Sequence, residues 1–145
     1  MKPLFSIGLI LIFSAFFFTS SLSRSWAGGK DIILEESGIR YPEGYDPNTV
    51  GEVRGKAVRF SRSEKGPLQF QLLTARESYV VLTSPPWYWE EFLPPIPEGT
   101  EVWVSGSKTV GRDGKLYIIA QKLRLPTLGR HLVFRDDNGR PLWRE

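Results

Sequence analysis

The chain has 145 residues, with 19 Lys and Arg against 16 Asp and Glu, one His and no Cys. This length allows one small domain. The lack of cysteine excludes disulfides, thiolate metal sites and thiol nucleophiles, and one histidine excludes a multi-histidine metal site within one chain. A Ser-His-Asp arrangement would have to use His131. The composition therefore predicts no metal, no cofactor and no enzymatic activity.

The N-terminus has the pattern of an export signal. Lys2 provides a positive charge, residues 4–18 are almost continuously apolar, and Ser25 and Ala27 are small residues at the positions expected of a cleavage site. We predict a signal peptide over 1–27, which places the protein in the periplasm or cell envelope. The alternative is an uncleaved membrane anchor, because the apolar run approaches the roughly 18–20 residues that a spanning helix needs. Cleavage would remove two basic residues, so most of the formal net charge of +3 would disappear.

The sequence after the signal divides into an arm and a β-rich region. Residues 28–48 combine Gly, Pro and charged residues around one apolar triplet, which predicts an extended arm that lies over the domain. From residue 49, short runs of Val, Leu, Tyr and Phe alternate with turn signals and show no sustained helical period. The chain is therefore predicted to be all-β. The predicted strands cover 49–60, 68–73, 78–83, 101–108 and 116–125.

The first two predicted strands indicate which side chains face inward. In the first strand the apolar residues change parity near Ala57, which predicts a bulge in a bent strand. In the second strand, 68–73, apolar residues alternate with Gln69 and Gln71. The two glutamines are therefore predicted to face outward.

Turn signals define the remaining segments. Five prolines within 84–99 exclude a long helix, although residues 86–92 can form a turn or two of one. Residues 126–145 contain an apolar triplet, an Asp-Asp-Asn-Gly turn and a Pro-Leu-Trp sequence. This pattern predicts a short C-terminal hairpin or strand extension, with Gly139 at positive φ.

The order of the predicted strands resembles that of the OB-fold, a five-stranded Greek-key barrel. A long glycine-bent first strand and a hairpin are followed by Gly99, Val102, Val104 and Gly106, and then by a strand through 117–123. The resemblance covers residues 49–125 and is to a small exported bacterial variety, with no specific family indicated. It implies a small OB-like barrel that binds oligonucleotides, oligosaccharides, peptides or proteins on the face of its second and third strands.

Exposed aromatic and amide side chains are the first candidate binding groups. Three consecutive aromatic residues within a proline-bounded segment cannot all face the same way, so at least one is available for stacking on a ligand. The alternative is that this segment plugs the open end of the barrel. The candidate ligand-binding residues are Trp87, Tyr88, Trp89, Gln69, Gln71 and Trp103.

Basic residues form a second candidate surface, which lies on the first and fifth strands and in the C-terminal extension. Cations interleaved with aromatic rings are typical of single-strand nucleic-acid binding. Acidic residues are nearly as numerous, and export removes the protein from most nucleic acid, so docking on an acidic protein or envelope polymer is at least as well supported. The candidate basic residues are Arg54, Lys56, Arg59, Lys122, Arg124, Arg130, Arg135, Arg140 and Arg144.

Other polar groups favour plain structural roles. The adjacent acids Glu90 and Glu91 have the pattern of solvated surface charge, and His131 lacks a partner motif.

The combined pattern predicts an exported, non-catalytic binding or interaction module of the periplasm or cell envelope. Its partner is an unknown protein, peptide or glycan, with nucleic acid disfavoured, and it contacts the membrane only through 1–27 if that segment is not cleaved. Two alternatives remain: a structural or accessory subunit of an envelope assembly, and binding of single-stranded nucleic acid or oligosaccharide through the barrel face.

Overall fold

The computed structural model describes residues 32–62 and 65–144. The signal peptide or anchor predicted over 1–27 lies outside the described residues. Within the described ranges no helix is long and apolar enough to cross a membrane. The elements are β1 (Ile32–Ile33), β2 (Arg40–Tyr41), β3 (Val50–Ser61), β4 (Gln69–Leu73), β5 (Ser78–Leu82), α1 (Pro86–Phe92), β6 (Thr100–Val110), β7 (Leu116–Leu125) and β8 (Arg130–Val133), with 3₁₀ turns at Pro47–Thr49 and Pro126–Leu128.

Five strands close into a barrel in the order β3-β4-β5-β7-β6. β3 pairs antiparallel with β4 and β6, β4 pairs with β5, and β6 pairs with β7. The parallel pairing of β5 with β7 closes the barrel, so its sheet is mixed. α1 connects β5 to β6, and β8 extends the sheet beyond the C-terminal half of β7. The all-β prediction is confirmed, and the closed barrel is compatible with an OB-like fold.

Strand alternation builds the core as the sequence predicts. Phe70 and Leu72 on β4 are buried inside the barrel, whereas Gln69 and Gln71 lie half-buried on its outer side. The partner strands contribute the branched aliphatic side chains that pack well on a pleated surface. The fully buried core side chains include Val81, Leu82, Val102, Val104, Ile118, Ile119, Leu123, Leu125 and Phe134.

The bend in β3 is a bulge at Arg59. The pairing of β3 with β4 shifts register between Val58 and Ser61, and Arg59 has a φ of 56°. Ala57 before the bulge is buried and Phe60 after it packs against the core, so the predicted parity change is present. The sequence predicts the bulge near Ala57, and the structure has it slightly further along the strand, at Arg59. The backbone N–H of Arg59 donates to both carboxylate oxygens of Glu98, each at 2.9 Å.

Replacing the bulge residue by glycine is expected to stabilise the protein. A positive φ destabilises the folded state by about 1–2 kcal/mol for an L-residue, and glycine removes this strain. Glycine also has more conformational freedom in the unfolded chain, which offsets about 0.4–1 kcal/mol of that gain. Arg59→Gly should therefore raise the free energy of unfolding in urea by about 0.5–1 kcal/mol. Arg59→Ala keeps both the Cβ and the N–H donor and serves as the control with little change. A destabilised Arg59→Gly variant would show that the bulge carries no such strain.

The arm packs on the outside of the barrel. Apolar side chains of the arm lie over outward-facing residues of β5 and β7, which together form a second, smaller buried cluster. The cluster comprises Leu82, Tyr117 and Ile119, with Leu34, Ile39, Tyr45 and Val80 packed against it. Hydrogen bonds from the Tyr41 hydroxyl to the Thr83 carbonyl oxygen (3.1 Å) and from the Asp46 N–H to Ser107 Oγ (3.1 Å) fix the arm in place. This part of the outer surface is therefore covered.

The C-terminal extension folds back as the sequence predicts. Arg135 and Pro141 form an isolated antiparallel bridge around the turn over 136–139, and Gly139 has a φ of 87°. The chain then places Trp143 in a stacked contact with Tyr41 of the arm, at 6.3 Å between ring centroids. The extension thereby ties the arm to the barrel.

Candidate binding surface

Trp89 is a core residue. It lies on α1, is 5% exposed, and its ring centroid lies 6.4 Å from that of Phe70 and 6.1 Å from that of Phe134. Trp89 therefore plugs the end of the barrel and presents no ring to a ligand, which corrects its placement among the ligand-binding candidates. The reason is that this face of the short helix docks on the core.

Tyr88 connects α1 to the C-terminal extension. Its hydroxyl donates to the carbonyl oxygen of Val133 at 2.9 Å, and its ring centroid lies 5.9 Å from that of Trp143. Burial, and secondarily the negative charge of Glu91, raises the pKa of Tyr88 above its ordinary value. Trp87, in contrast, is 49% exposed. Of the three consecutive aromatic residues, Trp87 is the most accessible to a partner.

The two candidate glutamines lie among aliphatic side chains on β4. Gln71 pairs with Val58 on one side and Val80 on the other, and Gln69 pairs with Leu82, which the arm helps to bury. The amide groups of Gln69 and Gln71 therefore lie next to a part of the outer surface that the arm already covers.

Trp103 lies in a row of side chains that crosses four neighbouring strands. In the register of the sheet, Arg54 pairs with Trp103, Trp103 with Arg124, and Arg124 with His131. Directly paired residues face the same side of a sheet, so we call these four residues the Trp103 row. Because neighbouring strands lie about 4.8 Å apart, the row extends over roughly 14 Å.

Two guanidinium groups flank the half-buried indole of Trp103. The Cζ atom of Arg54 lies 3.8 Å from the ring centroid and that of Arg124 lies 5.6 Å from it, both within cation–π range. Glu101 accepts a hydrogen bond from the indole Nε1 at 3.3 Å, and Glu52 pairs with Arg54 at 3.1 Å. These contacts hold the ring in a fixed position on the outer face.

A groove of about 510 Å³ opens beside the row, between the end of β7, the turn at Pro126–Leu128 and β8. Gly129 has a φ of 63°, the left-handed conformation that ends this turn and reverses the chain into β8. The basic residues that line the groove are Lys122, Arg124, Arg130 and His131. His131 is missing from the predicted binding residues because its position depends on the pairing of β8 with β7. Pro126 and Gly129 are the sequence signals that indicate a reversal of the chain between β7 and β8.

The remaining basic candidates do not form one surface. Arg135 is 1% exposed, donates from Nη1 to the Gly139 carbonyl oxygen at 3.0 Å, and lies with its Cζ 5.1 Å from the Tyr45 ring centroid. Its assignment to the basic surface is wrong, because the C-terminal turn and the arm enclose it. Lys56, Arg59 and Arg140 are exposed, and Arg144 is half-buried.

The acidic candidates lie at the surface of the protein. Glu90 and Glu91 are exposed on α1, and Glu90 pairs with Arg62 at 2.8 Å. Within 32–62 and 65–144, no three His, Asp or Glu side chains come close enough to hold a metal ion.

Comparisons with known proteins assign no family: no protein family matches the sequence, and no curated protein matches it significantly. The chain is thus defined as a closed, five-stranded all-β barrel with one added strand and an outer face that carries the Trp103 row.

Proposed function

We propose that this protein is an exported, non-catalytic, OB-like binding module of the bacterial periplasm or cell envelope, and that it binds its partner through the Trp103 row. The observation that carries the proposal is the indole of Trp103, held on the outer face between two guanidinium groups. The N-terminal sequence, with its charge, apolar run and small residues before position 28, supports export.

The row has features that the barrel core does not require. Trp103 points away from the interior, where its strand neighbours Val102 and Val104 are buried. An exposed cation–π contact stabilises a protein by only about 0.5–1 kcal/mol, so stability alone is a weak reason for this arrangement. Tryptophan and arginine are the residues most enriched at energetically dominant contacts with partners. The row also lies apart from the cluster around Leu82 that the arm covers.

Binding measurements with two tryptophan variants test the proposal. The probes are oligogalacturonate, a neutral gluco-oligosaccharide, oligodeoxythymidylate and polyglutamate, titrated by calorimetry. We expect at least one probe to bind, and Trp103→Ala to weaken that binding by about 30-fold, as at a dominant contact. Trp87→Ala, which removes an exposed tryptophan outside the row, is the matched control and should bind as the wild type does. The proposal fails if no probe binds, or if Trp103→Ala binds normally.

The exposed aromatic cluster on α1 favours a second candidate, an accessory subunit. Phe92 and Leu142 are 50% and 45% exposed, similar to Trp87, and the rings of Trp87 and Phe92 both contact Tyr88. Adjacent exposed apolar side chains are typical of protein contacts. Trp143, the next residue after Leu142, is buried and does not add to this exposed apolar surface. Loss of binding in Trp87→Ala but not in Trp103→Ala would support this candidate over the first.

A further inference from the structure

We infer that the groove beside Trp103 binds the carboxylate groups of an acidic polysaccharide through Lys122, Arg124 and Arg130. This inference rests on the proposed function and names the ligand class for the same surface.

The charge of the groove is the first argument. Of its nine lining residues, three carry positive charge and none is acidic. In the part of the chain that the structure describes, none of the three forms an ion pair, whereas Arg54 and Arg62 pair with Glu52 and Glu90. The whole chain is nearly balanced in charge, with a formal net charge of +3. The positive potential of the groove is therefore local, and it favours an anionic ligand at this place.

The backbone fixes the spacing of the cations. Lys122 and Arg124 are two residues apart on β7 and so project from the same face of the strand. Their partners on β8 are Val133 and His131. Arg130, which begins β8, pairs with the buried Leu125, so its side chain leaves the strand on the other side and lines the groove only at its rim. Arginine presents its donors in a planar fork that matches two oxygens of a carboxylate or of a phosphate, so the groove suits anionic groups of this geometry better than single-point acceptors.

Arg124 joins the groove to Trp103. It lines the groove and also lies with its Cζ 5.6 Å from the Trp103 ring centroid. A linear chain that crosses the outer edge of the indole, which the guanidinium groups of Arg54 and Arg124 flank, therefore brings a carboxylate to Arg124. A sugar unit advances along such a chain by a distance close to the spacing between strands, so successive units follow the row from Trp103 towards His131.

The number of rings favours a polysaccharide over a single-stranded nucleic acid. Proteins that bind single strands stack successive bases on several aromatic side chains. The Trp103 row offers one aromatic residue followed by Arg124 and His131. Ser105 lies on the same face, paired with Lys122, and supplies a hydroxyl that can exchange hydrogen bonds with sugar hydroxyls.

Titration of the purified protein with oligogalacturonate and with its methyl ester tests this inference, because the ester keeps the sugar chain and removes the charge. We expect the acid form to bind at least about tenfold more tightly than the ester, and to lose this advantage as salt screens the charges. Lys122→Gln and Arg130→Gln should each weaken binding of the acid form by about three- to tenfold. Arg62→Gln, which removes an exposed cation elsewhere, should leave binding unchanged.

The outcomes separate this inference from the proposed function. Equal binding of acid and ester, lost in Trp103→Ala, overturns the carboxylate site and leaves the binding module intact. Binding of oligodeoxythymidylate in place of oligogalacturonate overturns the choice of polysaccharide. If Arg62→Gln and Arg130→Gln weaken binding of the acid form equally, the attraction is unspecific, and the assignment of the binding site to the groove is overturned. A failure of every probe to bind contradicts both proposals.

Discussion

Trp89→Ala is expected to lower the free energy of unfolding by about 3–5 kcal/mol, the range for removing a large aromatic side chain from a packed core. The indole lies against Phe60, Phe70 and Phe134, and all three ring contacts would be replaced by a cavity at the end of the barrel. Because α1 has only seven residues, packing rather than intrinsic helix stability holds it, so the loss should also loosen the helix.

Urea unfolding of Trp89→Ala and Trp87→Ala measures this difference. Trp87 is a neighbouring residue on the same helix, but its side chain is about half exposed, so its replacement should cost less than about 1 kcal/mol. Replacing Trp87 should remove more of the fluorescence that acrylamide quenches than replacing Trp89. Similar losses of stability in the two variants would contradict the assignment of Trp89 as the core plug.

The fold was more predictable from the sequence than the binding surface. Alternation over 68–73 and the turn signals before 116–125 reflect local rules, and the observed strands β4 and β7 follow them closely. The choice of inward residue among Trp87, Tyr88 and Trp89 depends on how the short helix docks on the barrel. No local pattern determines that docking.

The Trp103 row illustrates the same limit. Trp103 and Arg124 are individually recognisable as candidates, but their adjacency depends on the register of β6 against β7, which a bulge shifts between Ser105 and Gly106. His131 joins them because β8 pairs with β7 after the turn at Pro126–Leu128. A shift of one residue would place these side chains on the opposite face. Register over four strands is set by long-range packing.

The arm changes which face of the barrel is open. The OB-like resemblance implies binding on the second and third barrel strands, β4 and β5. In this protein Leu34, Ile39 and Tyr45 of the arm pack beside the outward-facing side chain of Leu82 on β5. The positively charged groove lies instead on β7 and β8, away from the face that the resemblance implies.

Gly106→Ala is expected to destabilise the barrel by about 2–3 kcal/mol, because the strands approach too closely there for a side chain. A Cβ atom at this position would overlap the carbonyl oxygen of Ile119 and would lie 2.9 Å from the Cα atom of Ala120. Both groups belong to the backbone of β7 and cannot turn aside. The sheet would have to separate next to the bulge that sets the register of the Trp103 row.

Gly51→Ala provides the matched control, because Gly51 is the residue paired with Gly106 on β3. A Cβ atom at Gly51 would lie 3.4 Å from Lys108 Cε, an ordinary contact with the end of a flexible side chain. This variant should change the free energy of unfolding by less than about 1 kcal/mol, and reduced backbone freedom of the unfolded chain acts in the stabilising direction. Thermal and urea unfolding of both variants measure the difference. Equal stability of the two would show that β6 and β7 have room to separate at Gly106, and the register of Trp103 with Arg124 would then rest on other contacts.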